Sequence, residues 1–154
     1  MVRTTKPIER ESSTFYFEVK VVNSGENGVI GIGLTQADPE TRSGYFPGWK
    51  LKQTLGIGYH GNNGGIYHDS NREIEVGEPY TTGDVAGCYL CRTRINDEEL
   101  NLVQFTKNGK KILSPRILTS DDWYPTIGLA SPGAIVDTNF DLNQLAFDIK
   151  SMTY

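Results

Sequence analysis

Apolar and polar positions alternate with a period of two along most of the chain. In Phe15-Tyr-Phe-Glu-Val-Lys-Val-Val22, Phe15, Phe17, Val19 and Val21 share one face, and Tyr16, Glu18, Lys20 and Val22 the other, the pattern of a half-buried strand. Val29-Ile-Gly-Ile-Gly-Leu34 is short and apolar throughout, as in a central strand, and Gly31 and Gly33 leave room for something to pack closely across it. Further strands are predicted over 55–60, 66–68, 84–93, 100–107, 110–113, 123–130 and 134–140. Turn signals separate them at 23–28, 61–65, 96–98, 108–109 and 131–133. Asn108-Gly109 is a strong tight-hairpin signal, because both residues tolerate positive φ. The stretches 35–53 and 71–82 read as loops, and the first holds Phe46-Pro-Gly-Trp49; long ordered loops in compact domains usually serve function. Helical periodicity is sustained nowhere, 97–103 coming nearest. Roughly ten short strands separated by turns predict an all-β fold, an antiparallel β-sandwich of two sheets.

A length of 154 residues suits one domain, expected over 1–154 with a core at about 7–149, and 37% hydrophobic against 22% charged residues is enough to bury that core. The net charge is -4 and the basic residues are scattered, Lys107, Lys110 and Lys111 coming nearest to a run, which argues against nucleic acid as a partner. No apolar stretch approaches the roughly 20 residues of a membrane helix, and 1–10 lacks the apolar centre of a signal peptide. A cytoplasmic or nuclear location, without membrane contact, is expected.

Cys88 and Cys91 form a C-x-x-C within a predicted strand. Residues three apart on a strand point to opposite faces and lie roughly 10 Å apart, too far for a disulfide, which needs Cα atoms within about 7 Å. A zinc site would need a second pair of ligands, and the only histidines are His60 and His68. Buried thiols, with no metal and no cofactor, are expected.

An ordered set of short stretches runs through the chain: Phe17-Glu-Val-Lys-Val21, Gly31-Ile-Gly-Leu34, Pro47-Gly-Trp49, Gly58-Tyr-His-Gly-Asn-Asn-Gly64 and Thr82-Gly-Asp-Val-Ala-Gly-Cys88. It continues with Phe105-Thr-Lys-Asn-Gly109, Tyr124-Pro-Thr-Ile-Gly-Leu129 and Val136-Asp-Thr-Asn-Phe140. The set resembles the SPRY family, and within it the branch of Ran-binding protein M. The resemblance implies a bent sandwich without cofactor or catalytic residues. It also implies recognition of a short peptide or a protein surface, often as the substrate-reading arm of a ubiquitin ligase complex. An isolated domain of this kind is expected to be monomeric.

A sandwich commits its inward residues to the core, so recognition falls to loops at its ends. Three segments are expected to build one partner surface: Lys6 and Pro7 before the first long strand; Arg42, Tyr45, Phe46, Pro47 and Trp49 in the long loop; and Ser131, Pro132 and Gly133. In peptide-capturing SPRY domains, equivalents of these segments line a preformed pocket, and Tyr45 matches a peptide-contacting tyrosine. Tyr45 and Phe46 are adjacent, so one faces outward, Tyr45 on this reading, and the other packs inward. Trp49 either supports the loop from within or meets the partner, and Ser131 to Gly133 either contacts it or serves only as a hinge. Trp123 and Tyr124, leading into an apolar strand, are read as structural.

Two other function classes make different demands on the sequence. An enzyme would need an acid–base group with a matched pKa in an open site. His60, in a glycine-rich turn, instead suits a structural hydrogen bond, and no phosphate loop, dinucleotide fingerprint or zinc spacing appears. A carbohydrate-binding sandwich is the main alternative, with Asn62 and Asn63 near Tyr59 as a candidate sugar contact.

Overall fold

The computed structural model describes residues 1–36, 46–49, 55–70, 72–119 and 122–148. Among the described residues, eleven strands form two antiparallel sheets. The first sheet holds β1 (Val2–Arg3), β10 (Tyr124–Leu129), β3 (Ile30–Thr35), β4 (Gly56–His60), β5 (Gly65–His68) and β6 (Glu75–Val76), in that spatial order. The second holds β11 (Ile135–Asn139), β2 (Thr14–Asn23), β7 (Val85–Ile95), β8 (Glu98–Lys107) and β9 (Lys110–Leu118). Between them lies one core that includes Phe17, Val19 and Val21 from β2, Ile32 and Leu34 from β3, Ile57 and Tyr59 from β4, and Leu90 and Phe105 from the second sheet. Trp123, 1% exposed, seals this core and donates its indole N–H to the Thr119 carbonyl at 3.0 Å.

The hairpins follow local chemistry. Asn108 and Gly109 have φ of 49° and 78°, and Asn96 and Asp97 of 52° and 63°, as two-residue turns with left-handed centres require. The 71–82 stretch, read as loop, contains the short strand β6 beside β5.

On β2 the inward set is as the alternation predicts, but Tyr16 and Glu18, on the opposite face, are also buried. The last residue of β11 and the segment after it cover Glu18. Glu18 accepts bonds from the Ala146 amide at 2.8 Å and the Asn139 side chain at 3.3 Å, and the Tyr16 hydroxyl donates to it at 3.2 Å. Phe147 lies beside the Gly109 turn, so this segment crosses the second sheet from β11 to the β8–β9 hairpin. Glu18→Ala is expected to cost about 2 kcal/mol, because it strands buried donors, and to raise amide exchange at Ala146 above that of the β7–β8 pair. Unchanged exchange there would show that Glu18 does not hold the segment.

Both cysteines lie on β7 and are free: Cys88 is buried and Cys91 half-buried. Burial pushes the Cys88 thiol well above its ordinary range. No helix among the described residues is long and apolar enough to cross a membrane.

Candidate functional site

The outward face of the first sheet carries an unusual amount of glycine. Strand register places Gly128, Gly31 and His60 side by side across β10, β3 and β4, and Thr126, Gly33, Gly58 and Tyr67 in the next row. Without Cβ atoms such rows let another backbone lie against the sheet. The Phe46–Trp49 segment uses this space. A Cβ built on Gly31 or Gly128 would lie 2.5 Å from the Phe46 ring, and one on Gly58 would lie 2.6 Å from the Pro47 carbonyl carbon.

The segment is itself a tight turn. The Trp49 amide donates to the Phe46 carbonyl at 3.2 Å, and Gly48, after Pro47, sits at φ 87°, the signature of a type II turn. Among the described residues, two bonds tie it down. The His60 ring N–H at Nε2 donates to the Pro47 carbonyl at 2.8 Å, and the Ser70 amide donates to the Gly48 carbonyl at 3.2 Å. Since a carbonyl only accepts, Nε2 of His60 carries the hydrogen of this bond. Burial pulls its pKa down to about 4, against the opposing effect of the Pro47 bond.

Four rings stack over this bed. His60 lies 4.0 Å from Tyr67 in a stacked arrangement, Phe46 meets His60 edge-on at 4.7 Å, and Trp49 stacks on Phe46 at 4.7 Å. Trp49 remains 41% exposed. It is therefore both loop support and open surface: one side is fixed by other rings and the rest faces solvent. Phe46 packs inward.

At the end of β10, Ser131 is buried and acts as a pin. Its hydroxyl donates to the Ser24 carbonyl at 2.8 Å and accepts from the Asn27 and Gly28 amides at 3.0 and 3.1 Å. The Glu26 amide reaches the Pro132 carbonyl at 3.0 Å. Pro132 and Gly133 are left exposed beside the 23–28 turn. Gly128, under Phe46, is only three residues before Ser131, so the aromatic cluster and this corner share one end of the sheet.

Lys6 and Pro7 do not join them. The Thr4 amide bonds the Pro125 carbonyl and the Ile8 amide the Trp123 carbonyl, so these residues flank the start of β10. Roughly 25 Å of extended chain separates that point from Ser131. Of the three segments expected to build one surface, the 46–49 turn and the Ser131 corner lie at one end of the sheet and Lys6 and Pro7 at the other, because β1 runs antiparallel along β10. Arg42 and Tyr45 lie outside the described residues.

The carbohydrate reading loses its aromatic. Tyr59 is fully buried and donates its hydroxyl to the Glu78 carbonyl, while Asn63 bonds the Tyr67 hydroxyl and the Gly65 amide. Trp123 is structural, and Tyr124 lies half-buried under the Arg3 guanidinium, 4.6 Å from its ring centre. The glycine bed escaped the sequence reading except at Gly31 and Gly33; the further signals were Gly58 and Gly128, each inside an apolar strand.

Known proteins place this architecture. The SPRY domain family model matches residues 14–143. The Ran-binding proteins 9/10 homolog of Drosophila melanogaster is 40% identical over 148 residues, 96% of this chain and 14% of that protein. Ran-binding protein 9 of Homo sapiens is 38% identical over 149 residues, 97% of this chain and 19% of that protein. A crystal structure of a human SPRY domain aligns with a TM-score of 0.72 at 25% identity, covering 91% of this chain and 83% of the other. The chain spans less than a third of the length of the curated relatives it matches. SPRY domains are typically protein–protein interaction modules rather than enzymes. With most of its length matched in order and in fold, this chain belongs to the SPRY family.

Proposed function

We propose that the chain holds a short extended stretch of a partner protein at the end of the sandwich where β10 leads into Ser131-Pro132-Gly133. Phe46 and Trp49 form the aromatic base of the site, Pro47 fixes the turn that carries them, Pro132 and Gly133 form its wall, and Arg42 and Tyr45 are assigned to it on family resemblance. The observation that carries this reading is Trp49, fixed by Phe46, His60 and Tyr67 yet 41% exposed. A large ring already immobilised loses little rotor freedom on binding, and such residues dominate interface energetics. Within a longer protein, this module selects the substrate of a ubiquitin ligase complex in the cytoplasm or nucleus, a role supported by the use made of SPRY domains generally. The relatives' names record binding of Ran, so Ran belongs among the partners assayed.

Trp49→Ala is expected to weaken partner capture about thirtyfold, a loss of roughly 2 kcal/mol, with the far-ultraviolet dichroism of the parent. The measurement is quantitative affinity capture from cell extract with parent, Trp49→Ala and Tyr45→Ala chains side by side. A folded Trp49→Ala chain that keeps every partner at parental strength would remove this site.

A further inference from the structure

At the opposite end of the sandwich, a cleft of about 350 Å³ opens between the 8–13 stretch and the far end of β7, lined by Arg10, Ser12, Ser13, Arg92 and Arg94. Arg92 organises it. Its guanidinium donates to the carbonyls of Glu9, Ser12 (2.9 Å) and Ile8 (3.3 Å), and its backbone amide donates to the Ser13 carbonyl at 2.7 Å. These acceptors are neutral, so the positive charge is held in place without being cancelled. Three of the five guanidinium N–H groups are used, which leaves two for a further acceptor.

Arg94 adds a second cation. It stands opposite Glu99 in the β7–β8 register but sends its Nε to the Asp97 carbonyl at 3.4 Å. Arg10 pairs with Asp122 at 2.8 Å, both side chains largely exposed, and such a pair exchanges at small cost. Glu11 and Glu99 also line the cleft and are exposed, so each can turn its carboxylate to water.

The sequence on the rim is Arg10-Glu11-Ser12-Ser13. Ser13 is exposed, Ser12 is half-buried, and the arginine three residues before Ser13 supplies the charge pattern that basophilic kinases select. We propose that Ser13 is a phosphorylation site whose phosphate closes onto Arg94 and Arg92 across this cleft and clamps the 8–13 stretch to β7. In the transfer, the Ser13 hydroxyl oxygen attacks the γ-phosphorus of a nucleoside triphosphate. The bond to the β-phosphate oxygen breaks, the hydroxyl proton passes to the kinase's base, and the nucleoside diphosphate leaves. The product carries close to two negative charges and three acceptor oxygens, which suit charge-assisted bonds to guanidinium groups.

The test is incubation of the whole chain with a basophilic serine/threonine kinase, magnesium and adenosine triphosphate, followed by mass spectrometry and a phosphorus-31 titration. One phosphate is expected at Ser13, and none in the Ser13→Ala chain. The titration midpoint of that phosphate is expected to lie ~0.5 pH unit lower than in the phosphorylated Arg94→Gln chain, because the guanidinium favours the dianion. Absence of incorporation, incorporation at Ser12 instead, or the same midpoint in both chains would each overturn the proposal.

Discussion

Replacing Gly58 with valine is expected to lift the Phe46–Trp49 turn off the first sheet, cost about 3 kcal/mol of stability and abolish partner capture. A side chain at this position would meet backbone rather than a movable side chain: its Cβ would lie 2.6 Å from the Pro47 carbonyl carbon and 3.1 Å from the Pro47 Cβ. Neither neighbour can swing aside, since Pro47 is held from above by the Phe46–Trp49 turn and laterally by the His60 bond. The strain is relieved only by moving the whole turn, which uncovers His60 and frees Trp49 from its stack. Urea unfolding and tryptophan emission read the two effects separately. The other tryptophan, Trp123, is buried in the core, so a red shift in the folded state reports Trp49. An unchanged urea midpoint together with unchanged emission would show that the turn does not rest on the glycine bed.

The second large effect is of acid. His60 has a folded pKa of about 4, below its ordinary 6.5, because burial among rings disfavours the imidazolium. Between these values the unfolded chain binds a proton that the folded chain refuses. The stabilisation is therefore complete above pH 6.5 and is lost progressively as the pH falls towards 4, by about 3 kcal/mol in total. The check is a comparison of urea unfolding at pH 7 and pH 4 for the parent and for His60→Gln, whose amide can still donate to the Pro47 carbonyl. Carboxylates titrate in both proteins and cancel in the difference, so the parent is expected to lose about 3 kcal/mol more than the variant. Equal losses would mean that His60 does not titrate in this range.

What the sequence disclosed, and what it hid, divides along the distance over which each feature is determined. The inward face of β2, the Asn108-Gly109 hairpin and the aromatic character of the 46–49 loop are local, and alternation and turn chemistry suffice to read them. The burial of Tyr16 and Glu18 is not local. Alternation says which residues share a face, but the cover over this face comes from Asn139 and Ala146, more than a hundred residues further on. The bed beneath Phe46 is of the same kind, since Gly31, Gly58 and Gly128 become neighbours only through the strand order β10-β3-β4. The placing of Lys6 and Pro7 beside the start of β10 is hidden for that reason as well: proline and lysine before a strand carry no mark of which end of a distant strand they will flank.

Ser131 and Pro132 divide two duties between adjacent positions. The buried hydroxyl of Ser131 supplies three hydrogen bonds that hold the corner to the 23–28 turn, whereas the ring of Pro132 is turned to water. Position 132 can therefore be exchanged during evolution without loosening the hinge beneath it. On the proposed reading of this corner, related proteins that keep the serine change partner preference by altering its neighbour alone.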